Sequence, residues 1–330
     1  MKILILRLSS IGDIVLTQPV TRVLRENFKT AEIDYLTKPA YRGVVEAFGC
    51  VDNIYEWEDK KNALKIIRQK KYDLVIDLHA KLNTGIIKLL SGTRKIITVN
   101  KKHFYRWALT KKIIRKPNES MSDIYLHTLK KIGLNGQYYL PELHPNKVLK
   151  NEILKLFQNQ GIDPTKRLIG IFPGALHYTK RYPATEFARF INKVPNSYNC
   201  SFLILGSTDD YEIAEKIIAR TSVKTYNLCG KVNIPELIVL IDILNLVISN
   251  DSGPMHIAAA LKKKQIAIFG GTHSMLGFAP LNFNALLLQA NLPCQPCSTH
   301  GLEKCPLGTL ECMNSITPDN LLEAFEDLMN

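Results

Sequence analysis

The chain has 330 residues, a hydrophobic fraction of 46% and a formal net charge of +13. This length is sufficient for two domains, each with its own core. The longest apolar runs have the length of strands and fall short of the roughly 18 residues that span a bilayer, which excludes a bundle of membrane helices. Arg7 and Asp13 interrupt the apolar N-terminus, so it predicts a buried strand rather than a signal peptide, and hence a cytoplasmic protein.

Strands and helices alternate along the chain, which is typical of parallel sheets covered by helices. The predicted strands of the first half are Lys2–Leu6, Glu32–Leu36, Leu74–Asp77 and Lys95–Val99. Those of the second half are Leu168–Phe172, Phe202–Leu205, Thr225–Leu228, Leu246–Ser249, Ile266–Phe269 and Ala285–Leu288. We therefore predict an α/β protein of two Rossmann-like doubly wound domains, 1–160 and 161–330, that face a cleft. The C-terminal helix is a candidate to pack back on the first domain.

The positive charge is confined to the first half of the chain. Lysine plus arginine outnumber aspartate plus glutamate 29 to 15 in residues 1–160, whereas the counts are 14 and 15 in residues 161–330. The first half is therefore expected to meet a nucleic acid, a membrane surface or a phosphorylated substrate.

Two basic stretches, residues 60–71 and 101–116, carry much of this charge. The first is equally well a solvated helix face. The second interleaves aromatic and basic side chains, as membrane-surface segments do. Its predicted acceptor-facing or membrane-facing residues are Lys101, Lys102, Arg106, Lys111 and Lys112.

The loop Ser9–Asp13, after the first strand, holds the first candidate catalytic residue. Gly12 allows a tight turn, and Asp13 falls near the start of the next helix. A carboxylate there either caps the helix or, at the edge of a cleft, acts as a general base. The residues alone leave both roles open.

Two loops that follow strands of the second domain are expected at the same cleft. Pro173–Pro183 brings the cation Lys180 to a site that favours phosphate. Thr208 and Asp209 lie in a polar turn whose acidic groups either cap the next helix or hold a ribose hydroxyl. The chain has no Gly-x-Gly-x-x-Gly sequence and no Walker lysine loop, which removes support from dinucleotide oxidoreductases and P-loop enzymes.

A third loop of the second domain, Ser249–His256, is the most informative stretch of the chain. An apolar run precedes it, and Gly253 and Pro254 open a run of strong helix formers. The free backbone N–H groups at such a helix start favour an anion, most often a phosphate. Asp251 would repel that anion, so we expect it to serve a hydroxyl or the turn itself.

Seven cysteines include a C-terminal group, formed by Cys294, Cys297, Cys305 and Cys312. Four thiolates can bind zinc tetrahedrally, although this spacing is not that of a zinc ribbon. A cytoplasmic location disfavours disulfides. The four thiols are either free or redox-active, or candidate ligands of a structural zinc, and the residues leave both interpretations open.

Three motifs together resemble glycosyltransferase family 9, the family of the lipopolysaccharide core heptosyltransferases. They are the segments Arg7–Asp13, Lys180–Pro183 and Ser249–His256, and their order and spacing match along nearly the whole chain. The chain departs from the family at Gly270-Gly271-Thr272, where Gly-Pro-Thr is usual, and at Lys81, where many members carry arginine.

The resemblance implies a GT-B fold and an inverting, metal-independent transfer of heptose from ADP-heptose to a phosphorylated lipid A–core acceptor. It also implies association with the inner membrane surface and no catalytic cofactor. By matching positions, Asp13 is similar to the family's catalytic base and Lys180 to the cation that steadies the leaving diphosphate. The implied donor-binding residues are Asp251, Ser252, Gly253, His256, Thr208 and Asp209.

Two other functions fit parts of the pattern. A nucleotide-sugar epimerase-like enzyme would use the same two-domain frame, but it needs no acceptor and is separated by incubation with donor alone. A basic nucleic-acid-binding protein is motivated by charge only. No recognition-helix, RNA-binding or zinc-finger signature accompanies that charge, so we expect no nucleic acid partner.

Overall fold

Eleven strands form two sheets in which all neighbouring strands are parallel, in a computed structural model that describes residues 1–330. The first sheet has the order β3-β2-β1-β4-β5, with strands β1 (Lys2–Leu6), β2 (Glu32–Thr37), β3 (Asn53–Glu56), β4 (Leu74–Asp77) and β5 (Ile96–Thr98). The second has the order β11-β10-β9-β6-β7-β8, with strands β6 (Arg167–Phe172), β7 (Cys200–Ile204), β8 (Thr225–Asn227), β9 (Leu246–Asn250), β10 (Gln265–Phe269) and β11 (Ala285–Gln289). The predicted pair of parallel α/β sheets is confirmed.

Fourteen α-helices surround the strands. They are α1 (Ile11–Val15), α2 (Gln18–Asn27), α3 (Arg42–Glu46), α4 (Lys60–Lys70), α5 (Leu82–Leu90), α6 (His103–Thr110), α7 (Met121–His127), α8 (Lys150–Gln160), α9 (Ala184–Lys193), α10 (Tyr211–Ile218), α11 (Ile234–Ile243), α12 (Gly253–Ala260), α13 (Glu311–Asn314) and α14 (Pro318–Met329). Short 3-10 helices are Pro39–Tyr41, Thr128–Ile132, Lys147–Leu149, Tyr178–Lys180, Asn196–Tyr198, Thr208–Asp210 and Ser274–Leu276.

The central strands are buried on both faces, and their sequences show why. Residues 3–6 of β1 and 246–248 of β9 are continuous apolar runs that expose no surface. Such runs are typical of parallel strands covered by helices on both sides. Each of these side chains contributes about 1.5–3 kcal/mol of stability by leaving water.

All ten predicted strands are present, with ends that differ by at most two residues. The strand that sequence reasoning missed is β3, at the edge of the first sheet. Its four residues are all half-buried and two of them, Asn53 and Glu56, are polar, so no apolar run marks it.

Each sheet reverses its strand order beside its first strand. In the first sheet β1 lies between β2 and β4, and in the second β6 lies between β7 and β9. Open α/β sheets bind ligands at this point, outside the carboxyl ends of the strands. The loops with Asp13, Lys180 and Asp251 follow β1, β6 and β9, so all three begin at such a point.

The chain divides into two compact units at positions other than the predicted one. Unit 1 comprises Met1–His103 and Glu119–His144, and unit 2 comprises Phe104–Asn118 and Pro145–Asn330. We had expected a single boundary near residue 160. Helix α8 lies in unit 2 because it packs against α11. Residues 104–118 join unit 2 as well, where the Asn118 N–H donates to the carbonyl of Met275 (2.9 Å).

Each unit has its own core, and the C-terminal helix belongs to the second. Helix α14 packs against α9, where the Phe325 ring meets that of Phe190 edge-on at 5.8 Å. Its main packing partners, α9, β10 and β11, all belong to unit 2. Its apolar face, with Leu321 and Phe325 fully buried, completes the core of unit 2.

Candidate active site

Asp13 lies in the first turn of α1, and three side chains of unit 1 hold its carboxylate. Arg7 Nη2 lies 2.6 Å from Asp13 Oδ2, the Tyr125 hydroxyl donates to Oδ1 (2.9 Å), and the Ser10 hydroxyl donates to Oδ2 (3.1 Å). None of its partners is a backbone N–H, so Asp13 does not cap the helix. The side chain is 21% exposed, which leaves the carboxylate accessible to a ligand.

The surroundings of Asp13 keep it ionised. Burial would raise the pKa of its carboxyl, but the Arg7 guanidinium, the Tyr125 hydroxyl and Lys101 outweigh burial, and the pKa lies below its ordinary value. Arg7 is itself buried, and its Nη1 donates to the carbonyl of Leu78 (2.8 Å). The cation is thus fixed in place, and Asp13 is a charged proton acceptor at neutral pH.

A second buried cation, Lys101, lies close to this pair. Its Nζ donates to the carbonyl of His79 (2.5 Å). Burial, reinforced by repulsion from Arg7, lowers the pKa of Lys101 to about 7. The same two causes lower the pKa of His79 to about 4, so its ring is neutral at neutral pH. Arg7 and, below a pH of about 7, Lys101 are thus the positive charges next to Asp13, and they would attract an anionic substrate.

Lys180 and Asp251 form an ion pair at the point where the strand order of unit 2 reverses. Lys180 Nζ lies 2.9 Å from Asp251 Oδ2, and the Thr272 hydroxyl donates to the same oxygen (2.7 Å). The Lys180 and Asp251 side chains are only 16% and 9% exposed. Loops after three neighbouring strands, β6, β9 and β10, supply this lysine, carboxylate and hydroxyl.

The turn that carries Lys180 is fixed through its neighbour, Thr179. The Thr179 N–H donates to the carbonyl of Leu302 (3.0 Å), and its carbonyl accepts from the Gly271 N–H (2.7 Å). The Thr179 hydroxyl accepts from the Leu302 N–H (2.8 Å). A Cβ at Gly301 would lie 2.9 Å from Lys180 Cδ, so this glycine lets the C-terminal segment lie directly on the lysine.

The start of α12 has the properties of an anion site. Ser252 precedes the helix, its side chain does not cap it, and its buried hydroxyl has no hydrogen-bond partner. The first N–H groups of a helix have no partner within the helix. His256 is buried in the first turn, and its ring meets Phe278 edge-on at 6.5 Å. Ser252, Gly253 and His256 thus lie together next to Asp251, as predicted from their order in the sequence.

The loop after β7 exposes Thr208 and Asp209. Its structure depends on Asp210 instead, whose Oδ2 accepts from the N–H and the hydroxyl of Ser207 (both 2.8 Å). A Cβ at Gly174 would lie 2.1 Å from Asp210 Oδ1, so only glycine fits beside that carboxylate. Thr208 and Asp209 are therefore free of a capping role.

The five basic residues predicted to face an acceptor or a membrane do not form one surface. Lys111 is exposed, and Lys102 is half-buried and pairs with Glu119 (2.9 Å). Lys101 is buried beside Asp13, as described above. The other two, Arg106 and Lys112, require a correction.

Arg106 and Lys112 have contacts inside unit 2. Arg106 is buried, with its guanidinium 5.4 Å from the centre of the Phe278 ring. Lys112 Nζ donates to the carbonyls of Cys294 (3.1 Å) and Pro296 (3.0 Å). Burial lowers the pKa of Lys112. These contacts make neither side chain available to a lipid surface. The prediction was wrong for both because charge alone does not reveal which cations satisfy groups within the fold.

The four C-terminal cysteines are free thiols. Across residues 1–330, no three His, Cys, Asp or Glu side chains are grouped closely enough to hold a metal ion. The geometry thus does not support the candidate zinc site, and metal analysis of the purified protein would test it. Backbone amides of Leu307, Gly308 and Leu310 outweigh burial and lower the pKa of Cys305, whereas burial raises that of Cys312 to about 11.

Sequence reasoning missed three residues of these sites. Tyr125 contacts Asp13 from 112 residues away, and no local pattern links them. Arg7 lies in the first motif, but its position at the end of an apolar strand did not indicate a functional role. Thr272 falls at the threonine of the family's usual Gly-Pro-Thr, and that match was the signal available.

No helix of the structure is both long and apolar enough to cross a membrane. A solved structure of E. coli ADP-heptose lps heptosyltransferase II is similar over 100% of this chain and 98% of that one, with a TM-score of 0.81 and 21% identity. This likeness identifies the fold as GT-B, an architecture of glycosyltransferases built from two parallel α/β domains.

Residues 62–305 match glycosyltransferase family 9 (heptosyltransferase), and the chain belongs to that family. Among curated proteins, lipopolysaccharide heptosyltransferase 1 of Campylobacter coli is 27% identical over 99% of both chains. Lipooligosaccharide heptosyltransferase 2 of Campylobacter jejuni is 26% identical over 100% of this chain and 98% of its own. The protein is therefore a glycosyltransferase, as its motifs predicted.

Proposed function

We propose that this protein transfers a heptose from ADP-heptose to a phosphorylated lipid A–core acceptor, with inversion at the anomeric carbon and without a catalytic metal. The observation that carries the proposal is the cluster in unit 2, where Lys180 and the start of α12 lie together at the reversal of the strand order. Relatives that match along nearly the whole chain are heptosyltransferases of lipopolysaccharide and lipooligosaccharide, which supports the choice of sugar and acceptor.

In this proposal the donor binds to unit 2. Lys180 and the N–H groups at the start of α12 contact the diphosphate, and the partnerless hydroxyl of Ser252 donates to a phosphate oxygen. Asp251, held by Lys180 and Thr272, accepts from a hydroxyl of the sugar. The exposed Thr208 and Asp209 hold the nucleoside.

The acceptor reacts at Asp13. The carboxylate takes the proton of the acceptor hydroxyl as that oxygen forms a bond to the anomeric carbon. The bond from this carbon to the donor phosphate breaks, and its electron pair goes to the ADP oxygen. Because attack and departure occur on opposite faces, the anomeric configuration inverts. Arg7 and Lys101 draw the acceptor's anionic groups toward Asp13.

The leaving diphosphate gains negative charge in the transition state. Cations and backbone dipoles that are already in place stabilise such charge without reorganisation. Lys180 is held by its ion pair, and its turn by the hydrogen bonds of Thr179. These groups supply the stabilisation that a divalent metal provides in other enzymes.

The affinity for the acceptor is expected to depend on pH through Lys101. The pKa of Lys101 is about 7, so its side chain is charged below this pH and loses the charge as pH rises. Arg7 and Asp13 stay charged, and His79 stays neutral, across the same range. The KM for a phosphorylated acceptor should therefore rise as pH increases through about 7.

Steady-state kinetics of Lys101→Met against pH test this expectation. The variant should show a high KM with that rise removed, while Lys102→Met, a half-buried lysine one residue away, should keep the profile of the native chain. Ionisation of the acceptor phosphates acts in the opposite direction and affects all three proteins equally. A rise in KM that persists in Lys101→Met would assign the titration to another group.

Association with an anionic membrane surface is expected to involve Lys111, Arg115 and Lys116, which are exposed in the segment after α6. Changing all three to glutamine should weaken binding to anionic vesicles about 100-fold, since each basic residue near such a surface contributes about 1 kcal/mol. Vesicle flotation measures the change. Lys112→Gln is the contrasting variant, because Lys112 bonds within unit 2. Equal binding of the triple variant and the native chain would assign these residues to solubility alone.

The decisive experiment offers the purified protein a panel of nucleotide-sugars with a truncated core acceptor. Mass spectrometry should detect one added heptose only with ADP-heptose, and NMR should show the opposite anomeric configuration. Transfer should persist in EDTA, and loss that magnesium restores would contradict the metal-independent mechanism. An altered sugar after incubation with donor alone would favour an epimerase.

A further inference from the structure

We propose that helix α5 of unit 1 docks on an anionic lipid bilayer and inserts Leu82, Ile86 and Leu89 among the lipids. This inference deepens the proposed function, because it names the surface by which the enzyme reaches a lipid-anchored acceptor. It concerns a part of the molecule that the catalytic proposal does not use.

The apolar side chains of α5 are exposed to an unusual degree. Leu82 is 90% exposed, Leu89 83% and Ile86 54%, whereas Ile87 on the opposite face is fully buried. Their spacing of i, i+4 and i+7 places the three exposed residues on one face of the helix. Single exposed leucines are ordinary, but a contiguous apolar face indicates an interaction surface.

The exposed face borders an open groove that lies wholly within unit 1. The groove is lined by Leu82, Ile86 and Leu89 and by the side chains of Lys81 and Lys88. Lys88 is held internally, since its Nζ lies 3.0 Å from Asp77 Oδ2. Lys81 has no ion pair, so it can extend its ammonium group away from the apolar face, as lysines do at a membrane interface.

The charge around α5 favours an anionic partner. Lys81, Arg94 and Lys95 are exposed and form no ion pair in the structure. Between residues 78 and 103, all of them in unit 1, the chain has six lysines and arginines and no aspartate or glutamate. A surface that is positive throughout is complementary to an anionic partner, and an anionic bilayer presents negative charge over its whole surface.

The neighbouring helix adds exposed cations. Helix α4 packs against α5 and exposes Lys61, Lys65 and Arg68, with no acidic residue within it. An apolar helix face with cations around it is the arrangement by which interfacial helices bind anionic membranes. The occupant that matches both the leucines and the cations is therefore a lipid surface.

Vesicle flotation with the full-length chain tests the proposal. The native protein should float with vesicles of phosphatidylethanolamine and phosphatidylglycerol that contain no acceptor, and only weakly with phosphatidylcholine alone. L82S/I86S/L89S should bind the anionic vesicles at least about tenfold more weakly, because it removes most of the apolar surface that enters the lipid. Phe283→Ser, in which a 95% exposed ring of unit 2 is removed, should bind like the native chain.

Three results of the binding and self-association measurements would overturn the proposal. One is equal flotation of the α5 variant and the native chain. Another is a native chain that does not float. The third is a self-association of the native chain, seen by sedimentation velocity, that the α5 variant abolishes, since a second copy would then cover this face. Should the triple variant melt early, L82S/L89S replaces it, because its two side chains are almost fully exposed.

Turnover with two forms of the acceptor separates this proposal from the function on which it rests. With a deacylated, water-soluble acceptor, L82S/I86S/L89S should turn over like the native chain. With acceptor embedded in vesicles, its turnover should fall by the same factor as its binding. Loss with the soluble acceptor as well would place α5 in the acceptor site and overturn the docking role. Absence of transfer by the native chain would instead contradict the proposed function and leave the flotation result standing.

Discussion

Replacement of Asp13 by asparagine is expected to lower the rate of sugar transfer by about 100- to 10,000-fold, the usual contribution of a positioned proton acceptor. Asparagine has nearly the shape of aspartate, and its single amide oxygen can replace one of the two carboxylate oxygens that accept from Tyr125 and Ser10. It cannot take a proton from the acceptor hydroxyl. Single-turnover measurements with saturating donor and acceptor report this loss directly.

Donor binding should survive the substitution, because Asp13 lies in unit 1 and the donor-binding residues lie in unit 2. Calorimetry with ADP is expected to give the same Kd for the native chain and for Asp13→Asn. The thermal unfolding temperature should fall, since the substitution removes the charge opposite the buried Arg7. Acid should destabilise the native chain through the same charge, because the pKa of Asp13 is lowered in the folded state. The stability that this charge provides is present above the ordinary carboxyl pKa and is lost as pH falls through the pKa of the folded state.

A matched control separates catalysis from helix capping. Asp59 caps α4 in the same unit, where its Oδ1 accepts from the N–H groups of Lys61 and Asn62 (both 3.1 Å). Asparagine caps a helix about as well as aspartate, so Asp59→Asn should leave turnover unchanged. Normal turnover in Asp13→Asn would remove this carboxylate from the chemistry, and an equal loss in both variants would indicate a structural effect.

The sequence predicts the positions of Asp13, Lys180 and Asp251 well, for a physical reason. Each residue follows a buried apolar strand, and in a parallel α/β sheet the carboxyl ends of the strands lie at one edge. A residue in the loop that follows such a strand can therefore be placed near a ligand site from the sequence alone. The same reasoning placed Ser252 and Gly253 beside Asp251, because a helix begins immediately after the turn.

Pairings between distant residues were not predictable in the same way. Nothing in the sequence near Tyr125 indicates that its hydroxyl reaches Asp13, because that contact depends on how α7 packs. The basic segment shows a related limit. Arg106 and Lys112 look like their exposed neighbours in sequence, yet one lies over the Phe278 ring and the other bonds carbonyls of the C-terminal segment. Burial of a cation is decided by tertiary packing.

The exposed face of α5 shows the converse limit. Its leucines and isoleucines give an apolar helix, and an apolar helix in an α/β protein usually predicts burial. Ile87 is indeed fully buried, but Leu82 and Leu89 are not. The residues of α5 are those of an apolar helix, and their pattern does not show which side of the helix the fold covers.

Replacement of Lys180 by alanine is expected to raise the Kd for ADP about 10- to 100-fold, since a hydrogen bond to a charged group contributes about 1.5–3 kcal/mol. The rate of transfer should fall further than the binding, because the diphosphate has more negative charge in the transition state than in the bound donor. Calorimetry measures the first effect and single-turnover kinetics the second. Lys193→Ala, which removes an exposed ion pair with Asp319 (2.5 Å) in the same unit, should change neither.

Lys180 has two ways to favour the donor, and a second variant distinguishes them. It either contacts the diphosphate or only neutralises Asp251, whose carboxylate would otherwise repel the phosphates. If neutralisation is its whole role, Lys180→Ala/Asp251→Asn should bind ADP as tightly as the native chain, because both charges are absent. If Lys180 contacts the diphosphate, the double variant should still bind ADP weakly. It should regain only the part of the affinity that Lys180→Ala loses through repulsion between Asp251 and the phosphates. ADP is the right ligand for this comparison, since it lacks the sugar that Asp251 is proposed to hold. Full recovery of ADP affinity in the double variant would assign Lys180 to the support of Asp251, and the stabilisation of the leaving group would then depend on the start of α12 alone.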